Sequence, residues 1–343
     1  MMEQHLGVWL WAGPVAGERT PTALLAFNAL GGLAAPLFVT LAGIGSALAA
    51  SRREGIDALQ VRRGLVLLGF GYLLSLLTPS WFTLRSWFVL HMMGLAIALG
   101  PLWRRLSSRA LGGLAAAVVL ATPLVQSWLD TPRSLSNDRM ALRPPYEELA
   151  GGHLRVALAE GQFPVFPWLA MFLTGVVMGR LLAAGRPEAL RTIAGGVLVA
   201  GLGLAGLGML VKAAGLALAG APAWQRLTSL PLGFFPATSA MITLLLAAVA
   251  WLVVFASAVE ARMPVDPRGW LVCLGRASLT LLLVHVVLFR EISRPFGLWQ
   301  ALPAQTALAV IGLWLVLSVA LARAWWRIDF RYGAEWVLRR LAG

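Results

Sequence analysis

Four histidines carry most of the acid–base capacity of this sequence: His5, His91, His153 and His285. An unperturbed imidazole changes charge near neutral pH, so a histidine held beside a hydroxyl or amine can take its proton as it attacks. Two arginines suit the complementary task of holding an anion, Arg180 and Arg276, because a guanidinium presents a fork of donors that matches phosphate. Little else is reactive. The single cysteine, Cys273, excludes an intramolecular disulfide and any cysteine-based metal cluster, and no metal site is expected. There is no Walker loop, dinucleotide fingerprint, His-Glu-x-x-His motif or nucleophile elbow.

These residues sit in a chain that can form little water-facing surface. Of its 343 residues 59% are apolar and 13% charged, with a mean hydropathy of +0.78. A soluble domain carries about 25% charged residues. Apolar runs fall at about 22–50, 64–83, 86–103, 110–129, 163–184, 192–220, 232–259, 270–290 and 301–322, each long enough to cross a bilayer as a helix. The expected architecture is all-α and polytopic, a single transmembrane domain over 1–343 with nine complete spans. The glycine-dense run 192–220 reads as a face for close helix packing.

The net charge of +13 would suggest nucleic acid in a soluble protein. Here the basic residues lie mostly between spans, where they set orientation, and nucleic-acid binding drops out. Alternate loops and the tail hold 17 arginines against nine in the other set, which puts the richer side in the cytoplasm. On this phasing 130–162 is an extracytoplasmic loop and 323–343 a cytoplasmic interfacial tail. The segment around His5 becomes the outer half of a first helix whose beginning is missing, so a truncated start is expected. All four histidines then lie in or above the outer half of the bilayer, with His5 roughly 12 Å deep and His91 and His285 roughly 8 Å deep at 1.5 Å of rise per residue. Ionisable groups at such depth usually face a cavity or a site. A neutral histidine hydrogen-bonded between helices is the competing explanation for His91 and His285, and Arg180, at a span's end, can instead snorkel to lipid phosphate.

Several segments together resemble a known family. MMEQHLGVW at the start, APLFVTLAGIGSALAASRR (35–53), VLHMMGLA (89–96), FPVFPWLAMFLTGVVMGRLL (163–182), FFPATSAMITLLLA (234–247) and LGRASLTLLLVHVVL (274–288) resemble, in order, bacterial membrane proteins related to heparan-alpha-glucosaminide N-acetyltransferase. The resemblance implies a multi-pass enzyme of the bacterial cytoplasmic membrane. Such an enzyme moves an acetyl group from cytoplasmic acetyl-CoA, its acyl-donor substrate, to a glycan or lipid-linked sugar on the far side. It implies His5 as the catalytic base, His285 and His91 positioning donor or acceptor, and Arg276 and Arg180 at the donor. Membrane lipid and the sugar acceptor are the expected partners, and homo-oligomerisation is left open. One departure matters: lysosomal members carry their catalytic histidine in the first extracytoplasmic loop, slightly beyond His5, and this loop has none, Asn28 being the nearest polar group. A transporter or flippase-like protein without covalent chemistry is the alternative, and the near absence of intramembrane carboxylates weakens proton coupling.

Overall fold

The computed structural model describes residues 1–14, 19–53, 55–129, 131, 152–214, 227 and 233–343. The regular elements among them are helices: α1 Met2–Leu10, α2 Thr22–Gly32, α3 Ala34–Arg52, α4 Ile56–Leu77, α5 Val89–Ala98, α6 Gly100–Arg105, α7 Ser108–Trp128, α8 Gly152–Arg155, α9 Val165–Ala183, α10 Ala189–Ala213, α11 Ser239–Arg262, α12 Trp270–Arg276, α13 Ser278–Val286, α14 Ala304–Trp326 and α15 Ala334–Ala342. The protein is an all-α, polytopic membrane protein, in agreement with the sequence reading.

The count of spans differs from nine. Among the described residues seven helical runs are long and apolar enough to cross a membrane, with α2 and α3 forming one of them; eight result if the bent pair that begins with α12 and α13 is a single span. Two hydropathy runs account for the difference. The run 86–103 divides into the ten-residue α5 and the short α6, which begins at Gly100-Pro101; proline suits a first helical position, where its missing N–H leaves nothing unpaired. The run 270–290 breaks between Arg276 and Ser278 with a bend of 67°. A hydropathy window averages across such a break and cannot see it.

The chain forms two compact units, one of Met1–Ala35, Leu73–Phe82 and Met263–Gly343, the other of Pro36–Tyr72 and Thr83–Arg262. In the first, α1 packs on α2 and α14 around Leu6, Leu10, Leu24, Ile311 and Trp314. The end of α1 is secured by backbone bonds from Gln300 N to Trp9 O (2.8 Å) and from Leu302 N to Leu10 O (2.8 Å), which satisfy carbonyls that a helix terminus leaves open.

In the second unit α7 runs along α9 and α10 along α11, with Ile44, Met178, Leu190, Ala194, Ala250 and Val253 forming a core. The backbones of α3 and α9 touch: a Cβ on Gly43 would lie 2.2 Å from Phe172 O, and one on Gly175 2.2 Å from Thr40 O. Close packing through small residues occurs here and, within the described part of 192–220, at Gly201, where a Cβ would stand 2.9 Å from the Leu244 side chain and 3.1 Å from Leu244 N. Gly195, Gly196, Gly203 and Gly206 face open space, and only 17% of the span α10 is buried.

Of the expected loop 130–162, residues 130 and 132–151 lie outside the described residues, and with them Asp130, Asp138, Pro144, Pro145, Glu147 and Glu148. The part after them is helical: α8 passes into a π-helical turn, Val156–Glu160. Arg155 forms a buried ion pair with Glu160 of this turn (2.7 Å) and donates to the Leu129 carbonyl just beyond α7.

Candidate functional site

In the first unit His5 and His285, 280 residues apart in sequence, meet at 2.9 Å between Nδ1 of His5 and Nε2 of His285. The protons in this pair can be assigned from the partners. His285 Nδ1 lies 2.7 Å from the Leu281 carbonyl, which can only accept, so Nδ1 donates and Nε2 of a neutral His285 carries a lone pair. His5 must then donate from Nδ1, and its own Nε2 is left as the acceptor nitrogen. No described residue hydrogen-bonds to that Nε2.

Aromatic faces fix the pair. Trp9, one helical turn along α1 from His5, stacks on it at 4.7 Å, and Trp81 meets it edge-on at 5.8 Å. Beyond His285 the helix widens into a π-helical turn, Val287–Ile292, a device frequent at functional sites. That turn carries Arg290, 2% exposed, whose guanidinium lies 5.8, 5.0 and 4.3 Å from the ring centres of Trp9, Trp81 and Trp299. Arg290 donates to Ser80 O (3.2 Å), while Ser80 donates through N (3.2 Å) and Oγ (2.5 Å) to Glu291. The turn holding Trp81 is thus pinned from both sides. Beside the pair, Gln4 donates to Asn28 at 2.9 Å.

Arg276 belongs to the same unit. It bonds Asp329 at 2.8 Å and lies over the Phe330 ring at 4.6 Å, with 39% of its side chain exposed.

His91, His153 and Arg180 belong to the second unit. His91 is fully buried. Phe88 N donates to its Nδ1 at 3.3 Å, so its proton is on Nε2, which has no hydrogen-bond partner among the described residues. A Cβ at Gly71 would stand 2.9 Å from that nitrogen, and the Tyr72 ring meets the imidazole edge-on at 4.5 Å. The surroundings of His91 are those of a packed histidine at the start of α5. His153, expected in an exposed loop, is half-buried on α8; its Nδ1 donates to Arg85 O (3.1 Å), and Tyr72 Oη donates to its Nε2 (3.2 Å).

The second unit also holds a cavity of about 490 Å³ lined by Ser46, Gln60, Val176, Trp103, Arg104 and Arg180, among others. Arg180 donates to the carbonyls of Leu106 (2.7 Å), Trp103 (2.9 Å) and Arg104 (3.3 Å), capping the end of α6. Arg104 makes a two-pronged pair with Asp57 at 2.9 and 2.6 Å. Gln60 donates to Ser46 (2.8 Å to Oγ), and its buried Oε1 has no hydrogen-bond partner among the described residues. No group of three or more His, Cys, Asp and Glu among the described residues could hold a metal ion.

Sequence reasoning selected His5 and His285 but missed Arg290, Glu291, Gln60 and Tyr72. By the arginine alternation Arg290 falls in the sparser set of nine, as a topological marker; its available signal is its position five residues after His285, in a chain whose tryptophans include Trp9, Trp81 and Trp299.

No curated protein and no solved structure matches the chain. Two family models do. One, described as a protein of unknown function (DUF418), matches residues 178–343, a range that includes Arg180, Arg276 and His285. The other, described as heparan-alpha-glucosaminide N-acetyltransferase, catalytic, matches residues 18–211, more than half of the chain, with His91 and Arg180 inside the match and His5 before it. The chain is therefore a multi-pass membrane protein that belongs to the heparan-alpha-glucosaminide N-acetyltransferase catalytic family.

Proposed function

We propose that this protein is a transmembrane acetyltransferase that takes the acetyl group of acetyl-CoA from the cytoplasmic side and delivers it to an amine or hydroxyl of a sugar on the other side, with His5 as general base. The observation that carries the assignment is the tautomer chain from Leu281 O through His285 to His5, which leaves His5 Nε2 as a proton acceptor. Family membership supports the chemistry, and the alternation of arginines supports the sidedness.

The donor supplies an activated thioester carbonyl. His5 Nε2 takes the proton of the acceptor as its nitrogen or oxygen bonds to that carbonyl carbon. The carbon–sulfur bond then breaks, and the imidazolium returns the proton to the departing sulfur. His285 keeps the His5 ring in the productive tautomer and passes excess positive charge toward the Leu281 carbonyl. Arg290, buried among three tryptophans next to this pair, adds a fixed positive charge that favours the neutral base and a developing oxyanion. His91, expected to position a substrate, is assigned here to the start of α5.

Arg276, in the same unit as the pair, and Arg180, in the wall of the second unit's cavity, are the two alternative contacts for the donor's anionic end, each to be weighed against the bonds it already makes, to Asp329 and to the carbonyls at the end of α6. The deciding experiment uses the full chain in lipid nanodiscs with isotope-labelled acetyl-CoA and glucosamine as the first acceptor. Acetylated sugar and free CoA thiol in equal amounts are expected, and thiol release without any dependence on acceptor would contradict the reading.

A further inference from the structure

The C-terminal segment reaches into the helix break that precedes His285. A bend of 67° between α12 and α13 takes the first N–H groups of α13 away from the carbonyls one turn back, and inside a membrane protein such groups need partners. Glu335, on α15, provides them. Leu279 N and Thr280 N donate to its Oε1 at 2.6 and 3.0 Å, and Thr280 Oγ1 donates to its Oε2 at 2.5 Å. Ala334 N donates in turn to Thr280 Oγ1 at 2.7 Å. The α12 side of the break is held by the same segment, through Asp329 and Phe330 on Arg276. Asp329, Phe330 and Tyr332 have φ of 52°, 51° and 68°, a left-handed backbone that non-glycine residues keep only where surrounding contacts impose it.

We propose that Glu335 is a positioning residue for the His5–His285 pair. Leu281, whose carbonyl sets the tautomer of His285, directly follows the two peptide groups that Glu335 binds. Without that carboxylate, the N–H groups of Leu279 and Thr280 recover partners only by closing onto carbonyls of α12. That closure straightens the span and turns His285 relative to His5. A residue near the end of the chain thus fixes the orientation of a base near its beginning.

The consequence for turnover rests on the acetyl-transfer reading; the consequence for the pair does not. The test therefore uses two readouts on the full chain in nanodiscs: carbethoxylation of His5 by diethyl pyrocarbonate across pH, followed by mass spectrometry, and transfer from acetyl-CoA to glucosamine. In Glu335→Ala the pH profile of His5 labelling should shift, and kcat should fall roughly 10- to 10²-fold, as for a misplaced reacting group, with KM for acetyl-CoA unchanged. Glu335→Gln, which keeps one acceptor oxygen, should fall between Ala and wild type, and it decides the question by the same two readouts if Glu335→Ala does not fold. A shifted labelling profile in a chain whose wild type transfers no acetyl group would uphold the positioning and remove the acetyl-transfer reading. Wild-type transfer together with variants whose labelling profile and kcat match wild type would overturn the positioning and leave the reading in place.

Discussion

The two units treat their histidines differently. In the first, His5 and His285 bond to each other, and the chain of donors starting at the Leu281 carbonyl ends on a nitrogen with a lone pair. In the second, His153 has both nitrogens engaged, by Arg85 O and Tyr72 Oη, and His91 accepts from Phe88 N and turns its remaining N–H into packed surroundings. Burial and residue type are similar in the two places. What differs is the direction in which the hydrogen bonds run, because a ring nitrogen that already donates cannot take a proton, and on the proposed reading this is what suits His5 to act as a base.

The largest effect that would break this contrast is at His5. His5→Ala should lower transfer by about 10²–10⁴-fold, the range for a positioned acid or base, while acetyl-CoA binding, measured by calorimetry, stays as in wild type. His285→Phe keeps the ring stack and removes the acceptor for His5 Nδ1; transfer should drop roughly 10²-fold through misorientation, and a rate equal to wild type would dissolve the pair into two unrelated histidines. His153→Ala, by contrast, should leave the chemical step nearly unchanged.

The second unit should respond in stability. Arg155→Ala removes the buried ion pair with Glu160 (2.7 Å), and thermal denaturation should record a loss of stability. Smaller still, Arg180→Gln should weaken acetyl-CoA binding by about 1–3 kcal/mol if Arg180 contacts the donor, as expected for one charged hydrogen bond. Arg276→Gln should do the same if it contacts the donor, and unchanged binding would return it to its partners Asp329 and Phe330.

The helical membrane architecture was legible because apolar composition and spacing are properties of each segment alone. The type of a single residue and its place near a span end are likewise legible, which is how His5 and His285 become candidates. Their pairing was not legible, since 280 residues separate them and a hydropathy pattern holds no information about which helices touch. The break at Ala277 escaped because its partner, Glu335, comes from the tail, and because Arg276 and Ser278 are too few polar residues to lower a window average. Gly195 and Gly196 misled in the opposite direction: glycine permits close approach, but whether a neighbour comes close depends on a helix elsewhere, here α3 against α9. Arg290 was hidden by the positive-inside count, which treats an arginine near a span end as a topological marker and is blind to the three tryptophans that enclose it.

The central claim, that His5 is the base of an acetyl transfer, is tested most directly by a single-turnover experiment on purified protein in nanodiscs. Wild type and His5→Ala are each loaded with labelled acetyl-CoA to the same measured occupancy and mixed with glucosamine. The account predicts acetylated sugar from wild type and a rate about 10²–10⁴-fold lower from His5→Ala at equal donor occupancy. Equal rates from the two proteins would contradict it.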